Sequence, residues 1–167
     1  RKFAVSSGIG YDASICEEAL RSPAKKVLNR LGLGKLTYVS IALKQLLLLK
    51  PVSCDLYLDD NPPVHFHHFM FAAMMQQPYE GGGFKFCPKA DATDGMLDIC
   101  VAGNVSKFRV LLLIPLAIFG GHVGHRGIHS YRAKTVRIVT SRPLCIHTDG
   151  EIVGHYKELT ATTDGKL

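Results

Sequence analysis

With 167 residues, 47% of them hydrophobic and 20% charged, the chain has the composition of one globular domain able to build its own core, which excludes a disordered segment. The net charge of +6 suits anionic partners, but Lys and Arg form no long run and aromatics are not interleaved with them, so phosphate or lipid ranks above nucleic acid. Five scattered cysteines, odd in number and without a CxxC pair, argue for a reducing compartment. The longest apolar run, Val110 to Phe119, is too short to cross a bilayer.

The chain opens on Arg1-Lys2-Phe3-Ala4-Val5, which reads as a strand edge with neither an initiator Met nor a signal peptide. It closes on Leu167, just after a turn-like Asp164-Gly165. Both ends look cut: the chain is either a fragment of a longer protein or only its ordered part. Ser6 to Ala13 reads as a glycine-rich turn, with Asp12 or Ser14 as the cap of a helix over Ser14 to Leu31 that Pro23 interrupts. The Gly8-Ile9-Gly10 piece could hold phosphate at a helix N-terminus, but it lacks a dinucleotide or P-loop fingerprint; a tight entry turn is the simpler reading. Gly32-Leu33-Gly34 ends that segment. Lys35 to Leu49 is a second helix, apolar over much of its surface, buried between layers or facing lipid.

From Val52 the period changes to two. Val52, Cys54, Leu56 and Leu58 alternate with polar residues in a half-buried strand, and Asp59 to Pro63 turns the chain. Val64 to Met75 is a long strand. Its His65 and His67 share a face, but no further ligand completes a zinc site. Then comes Glu80-Gly81-Gly82-Gly83, a strand-like run from Phe84 to Cys87, Pro88, and three carboxylates at Asp91, Asp94 and Asp98 around the Asp94-Gly95 turn. Carboxylates this close repel unless something positive sits among them. Leu97 to Val101 is a strand, Ser106 to Phe119 a helix closed by Gly120-Gly121, and His122, His125 and His129 lie in a glycine-rich connection. Strands follow over Tyr131 to Thr140, Leu144 to Thr148, Ile152 to Tyr156 and Leu159 to Thr163, with a second acidic turn at Asp149-Gly150-Glu151. Strands joined by short turns favour antiparallel pairing. The expected fold is mainly β (α+β): an antiparallel β-sandwich with two N-terminal helices and one inserted helix.

The ordered set of Gly8 to Ala13, Gly34-Lys35-Leu36-Thr37-Tyr38, Gly81-Gly82-Gly83 with Pro88, Asp94-Gly95-Met96-Leu97-Asp98, Gly121-His122 and Asp149-Gly150-Glu151 resembles the bacterial diacylglycerol kinase catalytic family, which also includes sphingosine and ceramide kinases. The resemblance covers nearly the whole chain. It implies two domains in the full protein: an ATP-holding domain with a Gly-Gly-Asp-Gly-Thr loop, and an antiparallel β-sandwich. No Gly-Gly-Asp-Gly-Thr occurs here, so residues 1–167 are expected to be the second domain alone. The resemblance further implies a Mg²⁺ held by the Asp94 side chain and the backbone carbonyls near Asp91 and Met96, with Glu151 accepting the proton of a lipid hydroxyl and Asp149 supporting it. Mg²⁺ takes oxygen ligands and keeps waters, and phosphoryl transfer needs mainly positioning and charge stabilisation. ATP would be bound mainly by the missing domain. One departure stands out: many relatives carry Asn shortly before the glycine triplet, where this chain has Met74-Met75-Gln76-Gln77.

Three functions follow. The first is the substrate-side domain of an ATP- and Mg²⁺-dependent lipid kinase acting on a diacylglycerol-like hydroxyl. The second is a non-catalytic sandwich that binds lipid or a partner. The third is a kinase for another substrate, such as a sphingoid base, a polyprenol or a nucleotide. The expected partners are the lipid, a membrane surface and the chain's own ATP-binding domain, with a homodimer allowed and no nucleic acid; the expected location is cytoplasmic and peripheral to a membrane.

Overall fold

A computed structural model of the chain describes residues 1–21, 34–80 and 83–164. Its elements are β1 (Ser6–Gly10), α1 (Tyr11–Arg21), α2 (Gly34–Leu48), β2 (Val52–Leu58), β3 (Val64–Met75), β4 (Leu97–Gly103), α3 (Lys107–Ile118), β5 (Ile128–Ala133), β6 (Thr135–Thr148) and β7 (Glu151–Thr162). Every strand pairing is antiparallel, as the short turns require. Across the sheet the order runs β5, β4, β3, then β1 and β2 end to end, then β6 and β7. The Phe71–Met75 part of β3 pairs with β1 and its Val64–Phe69 part with β2, while β6 meets β2 over Val136–Thr140 and β1 over Ile146–Thr148.

All seven strands place residues in one buried cluster, among them Ile9, Leu56, Phe69, Ile99, Ala133, Ile138 and Ala161. Edge strands β5 and β7 can share a core only if the sheet curls over itself, and this is the expected sandwich. The opposite face of β3 and β4 is covered by the helices and the 84–90 segment, which join Met70, Phe71, Ala73, Met75, Cys100 and Ala102 in a second cluster with Tyr11, Ala42, Leu46 and Val110. A register shift between Phe69 and Phe71 against β4 turns both Met70 and Phe71 to this second face. Buried on both sides, β3 carries a continuous apolar run instead of alternation.

Several expected boundaries move. Ser6 to Ala13 is not a turn but strand β1 running into α1, so the helix begins at Tyr11; its expected extension through Pro23 to Leu31, with Gly32-Leu33, lies outside the described residues, as do Gly81 and Gly82. Asp12 and Ser14 do not cap α1: Asp12 turns to another partner and Ser14 Oγ donates to Gly10 O at 3.0 Å. Phe84 to Cys87 is not a strand, because Glu80 N bonds Phe84 O at 2.9 Å and Lys85 N bonds Ala117 O at 2.8 Å, tying the segment to the end of α3. The expected strand over Tyr131–Thr140 breaks at Lys134. Leu144–Thr148 instead continues β6, whose register against β7 shifts between Val139 and Leu144 to carry Pro143. The two last expected strands are one, β7. Helix α3 is capped as read: Ser106 Oγ accepts from Arg109 N at 3.3 Å, and Gly120 takes φ +76° past its end.

Candidate functional site

The site begins at the β1–α1 junction. Gly10 has φ +100°, and a Cβ there would meet Met70 O at 2.4 Å, so the sharp change from strand to helix over β3 requires glycine. Gly8 pairs across the sheet with His147. A Cβ on Gly8 would fall 2.1 Å from Asp12 Oδ2 and 2.4 Å from His147 Nε2. The missing side chain thus makes the room in which those two groups meet, at 2.8 Å. Glu80 Oε1 lies 3.2 Å from the same Nε2 and accepts from Ser6 Oγ at 2.6 Å. His147 is fully buried, and the Asp12 and Glu80 side chains are 9% and 7% exposed.

Two carboxylates on one imidazole set the electrostatics. Burial opposes charge on His147, but Asp12 and then Glu80 outweigh it and raise its pKa. Nε2 is the ring nitrogen that faces both carboxylates, while Gly150 N lies 3.3 Å from Nδ1. Burial, reinforced by the Asp12 charge, raises the Glu80 carboxyl well above the ordinary carboxylate range, to about 7.

Asp12, Glu80 and Ser6 form one wall of a cavity of about 400 Å³ between α1, α3 and the 84–86 segment, and His147 contacts both carboxylates without lining it. Its other walls are apolar, with Ile15, Phe71, Phe84, Phe86, Leu113 and Ile114 among them. Phe86 bridges Phe71 (5.5 Å between centroids) and His122 (6.1 Å). The volume is that of a small-molecule pocket, roughly 300–1,000 Å³. A greasy cavity with one acidic wall suits an amphipathic ligand whose polar end carries a hydroxyl or a positive charge.

Asp149 and Glu151, expected as catalytic, do different things, and only Asp149 lines the cavity. Asp149, at φ +49°, accepts backbone N–H bonds from Ala4 (2.8 Å), Val5 (2.9 Å) and Ser6 (2.9 Å). Burial works against its charge, but these donors prevail and its pKa is lowered. It fixes the start of β1 and with it Ser6. Glu151 is 71% exposed and pairs with Arg1.

The expected metal turn lies elsewhere on the same sheet edge. Asp98 pairs with Met75, Met75 with Ser6, and Asp149 N bonds Ser6 O. Three strand spacings, roughly 14 Å along the sheet, therefore lie between Asp98 and Asp149. Asp91 Oδ1 accepts from Thr93 N (2.9 Å) and Oγ1 (2.7 Å), and Asp94 Oδ1 accepts from Met96 N (2.9 Å). Arg132 pairs with Asp94 and lies 3.5 Å from Asp98 Oδ2, a buried oxygen without a hydrogen bond. Burial raises Asp98 despite Arg132. Three carboxylates thus face one guanidinium, and both Asp94 oxygens are engaged, Oδ1 by Met96 N and Oδ2 by Arg132.

Sequence reading missed the role of Asp12, which it took as a cap, and of Glu80 and His147. A signal for His147 exists: it shares a face with Cys145, opposite Leu144 and Ile146, and that face turns to α1. A signal for Glu80 does not, because its partners are 74 and 67 residues away.

Residues 5–165 match the family described as the YegS C-terminal NAD kinase beta sandwich-like domain. The chain is 31% identical over 147 residues to the "Putative lipid kinase YtlR" of Bacillus subtilis (strain 168), covering 88% of this chain and 47% of that protein. It is 30% identical over 149 residues to a diacylglycerol kinase of Mycobacterium tuberculosis (strain H37Rv), covering 89% and 45%. A crystal structure from Bacillus anthracis (strain Sterne), named a putative diacylglycerol kinase, superposes with a TM-score of 0.65 at 20% identity over 98% of this chain and 50% of that one, which shows the shared fold. The chain spans about half the length of the curated relatives it matches. It belongs to the YegS C-terminal, NAD kinase-like β-sandwich family, the domain of diacylglycerol kinase-like lipid kinases.

Proposed function

We propose that this chain is the substrate-side domain of an ATP- and Mg²⁺-dependent lipid kinase, and that the 400 Å³ cavity holds the apolar part of a diacylglycerol-like lipid while the acidic wall receives its hydroxyl end. The observation that carries this reading is the meeting of an apolar cavity with the buried carboxylates Asp12 and Glu80 on one wall, both of them held by His147. ATP comes from the ATP-binding domain of the full-length protein, across the edge where Glu151 stands exposed. Glu151 accepts the hydroxyl proton as phosphoryl transfer proceeds, and Asp149 holds Ser6 and the β1 edge beside it. The Asp94 turn would hold Mg²⁺, which when bound supplies positive charge to the carboxylates of that edge.

Helix α3 links this cavity to a membrane surface. Val110, Leu113, Ile114 and Ala117 line the cavity, while Phe108, Leu112, Leu116 and Phe119 are exposed, Phe119 to 82%. Arg109, Arg126 and His125 rim the exposed leucines, and among the described residues neither arginine has an acidic partner. An apolar patch with a basic rim complements an anionic bilayer. No described helix is long and apolar enough to cross a membrane.

The test is Glu151→Gln in the full-length protein. Lipid phosphorylation is expected to fall about 10²–10⁴-fold with the melting temperature retained. Normal turnover overturns the base assignment, and turnover on non-lipid alcohols alone overturns the substrate class.

A further inference from the structure

Helix α1 presents a second polar cluster on its side away from the cavity. Glu17 on α1, Cys145 on β6 and His155 on β7 bring a carboxylate oxygen, a thiol sulfur and an imidazole nitrogen to within 4.8 Å of one another. None of them takes part in the site described above. Their surroundings are graded: Cys145 is buried, the Glu17 side chain is 16% exposed and the His155 side chain is 53% exposed.

The spacing is informative. Glu17 Oε2 and His155 Nε2 stand 3.4 Å apart, too far for a good charged hydrogen bond, which closes to about 2.7–2.9 Å. Two ligands at about 2.0–2.1 Å from a tetrahedral zinc ion stand about 3.4 Å apart. The carboxylate is already turned for one-oxygen ligation: Arg21 Nη2 holds Glu17 Oε1 at 2.7 Å and leaves Oε2 toward His155. Fixing a ligand by an outer hydrogen bond is what metal sites commonly require. Cys145 approaches from the buried side, its thiol 3.6 Å from Ala13 O.

We propose that Glu17, Cys145 and His155 form a zinc-class metal site with its fourth position open to solvent on the His155 side. The mix of thiolate, imidazole and carboxylate suits Zn²⁺ or Co²⁺ and not Mg²⁺ or Ca²⁺. An ion there would clip α1 to the β6–β7 hairpin. Asp12, one turn before Glu17 on α1, would then be held against His147 more firmly. The site stands independently of the kinase reading, since binding is measured without turnover.

The experiment is a titration of the purified full-length protein with Zn²⁺ by calorimetry, and with Co²⁺ by absorption, the thiolate-to-cobalt charge-transfer band reporting Cys145. One equivalent is expected, together with the band. Cys145→Ala should abolish the band. His155→Ala, a change at a half-exposed side chain that leaves the core alone, should weaken Zn²⁺ by more than the roughly 10–100-fold that an outer partner costs. Cys16→Ala should leave the band intact. The proposal fails if wild-type protein binds no Zn²⁺ at high micromolar concentration or if His155→Ala binds as wild type does. It fails equally if the band follows Cys16, which would place the ion with Asp12 and His147 instead.

Discussion

The two faces of the sheet are built to opposite ends. The enclosed face is filled by large aliphatic and aromatic side chains, Leu56, Phe69, Leu97, Ile99 and Ile138 among them, all at most 1% exposed. The helix-covered face uses small or adaptable residues, Ala42, Ala73, Ala90, Ala102, Met70 and Met75, and leaves a 400 Å³ cavity beside buried Asp12, Glu80 and His147. One face fills space and the other keeps space and charge. A fold that violates its own packing and polarity rules on one face only does so where it binds something.

The largest expected effect is on the filled face. Phe69→Ala should cost about 3–5 kcal/mol, because the closed core cannot collapse into the gap. Leu113→Ala, which only widens an existing cavity, should cost toward the low end for a leucine, about 2 kcal/mol. Urea unfolding of both variants makes the comparison, and equal costs would erase the distinction between the faces.

The next effect tests the charge on the open face. Glu80 has its folded pKa raised to about 7 by burial and the Asp12 charge. Between the ordinary carboxyl value and about 7 the folded state therefore binds more protons than the unfolded state, and stability must fall as pH rises through that window. His147, also raised, contributes in the same direction above its ordinary value. Melting temperatures from pH 5 to 8 should decline for the wild type and decline less for Glu80→Gln. A parallel decline in the variant would mean that Glu80 holds no extra proton when folded.

These contrasts also explain what could be read from the sequence. The strands β2, β3 and β4 and the helix α3 were legible, because alternation, a Pro-Pro turn and a Ser cap are local signals. The sandwich was legible from turn spacing. The continuity of β6 was not, since Arg142-Pro143 reads as a break while the sheet absorbs it in a register shift. The acidic turns were found, but not the strands between them, since β3 and β1 lie between β4 and the end of β6. The buried Asp12–His147–Glu80 cluster was invisible, because its members are 135 and 67 residues apart and each alone has an ordinary surface reading.

A smaller effect separates the two acidic turns. Asp94 and Arg132 are partly exposed, so Asp94→Asn should cost no more than about 1 kcal/mol in the absence of divalent ions. The wild-type melting temperature should rise with Mg²⁺ by mass action, and that rise should vanish in the variant. A rise of equal size in both would move the ion away from this turn. In Asp149→Asn the Mg²⁺ response should persist, since that carboxylate serves Ala4, Val5 and Ser6.

The smallest effect on folding belongs to the outermost layer of the open face, where the helix that lines the cavity turns its other side to solvent. Phe119 is 82% exposed beyond the end of α3, so Phe119→Ser should change stability by no more than about 0.5 kcal/mol. If α3 rests on a bilayer, the same change removes a side chain whose burial is worth roughly 1.5–3 kcal/mol, and vesicle binding should drop about tenfold or more. Arg109→Gln should weaken binding to vesicles carrying anionic lipid and leave binding to neutral vesicles unchanged, because its contribution is electrostatic and screened by salt. Sedimentation with both vesicle types measures each term separately. Loss with Phe119→Ser and none with Arg109→Gln would make the surface a hydrophobic contact without charge selection. Unchanged sedimentation in both variants would leave the apolar side of α3 without a role at the membrane, and the cavity would then have to load its lipid by another route.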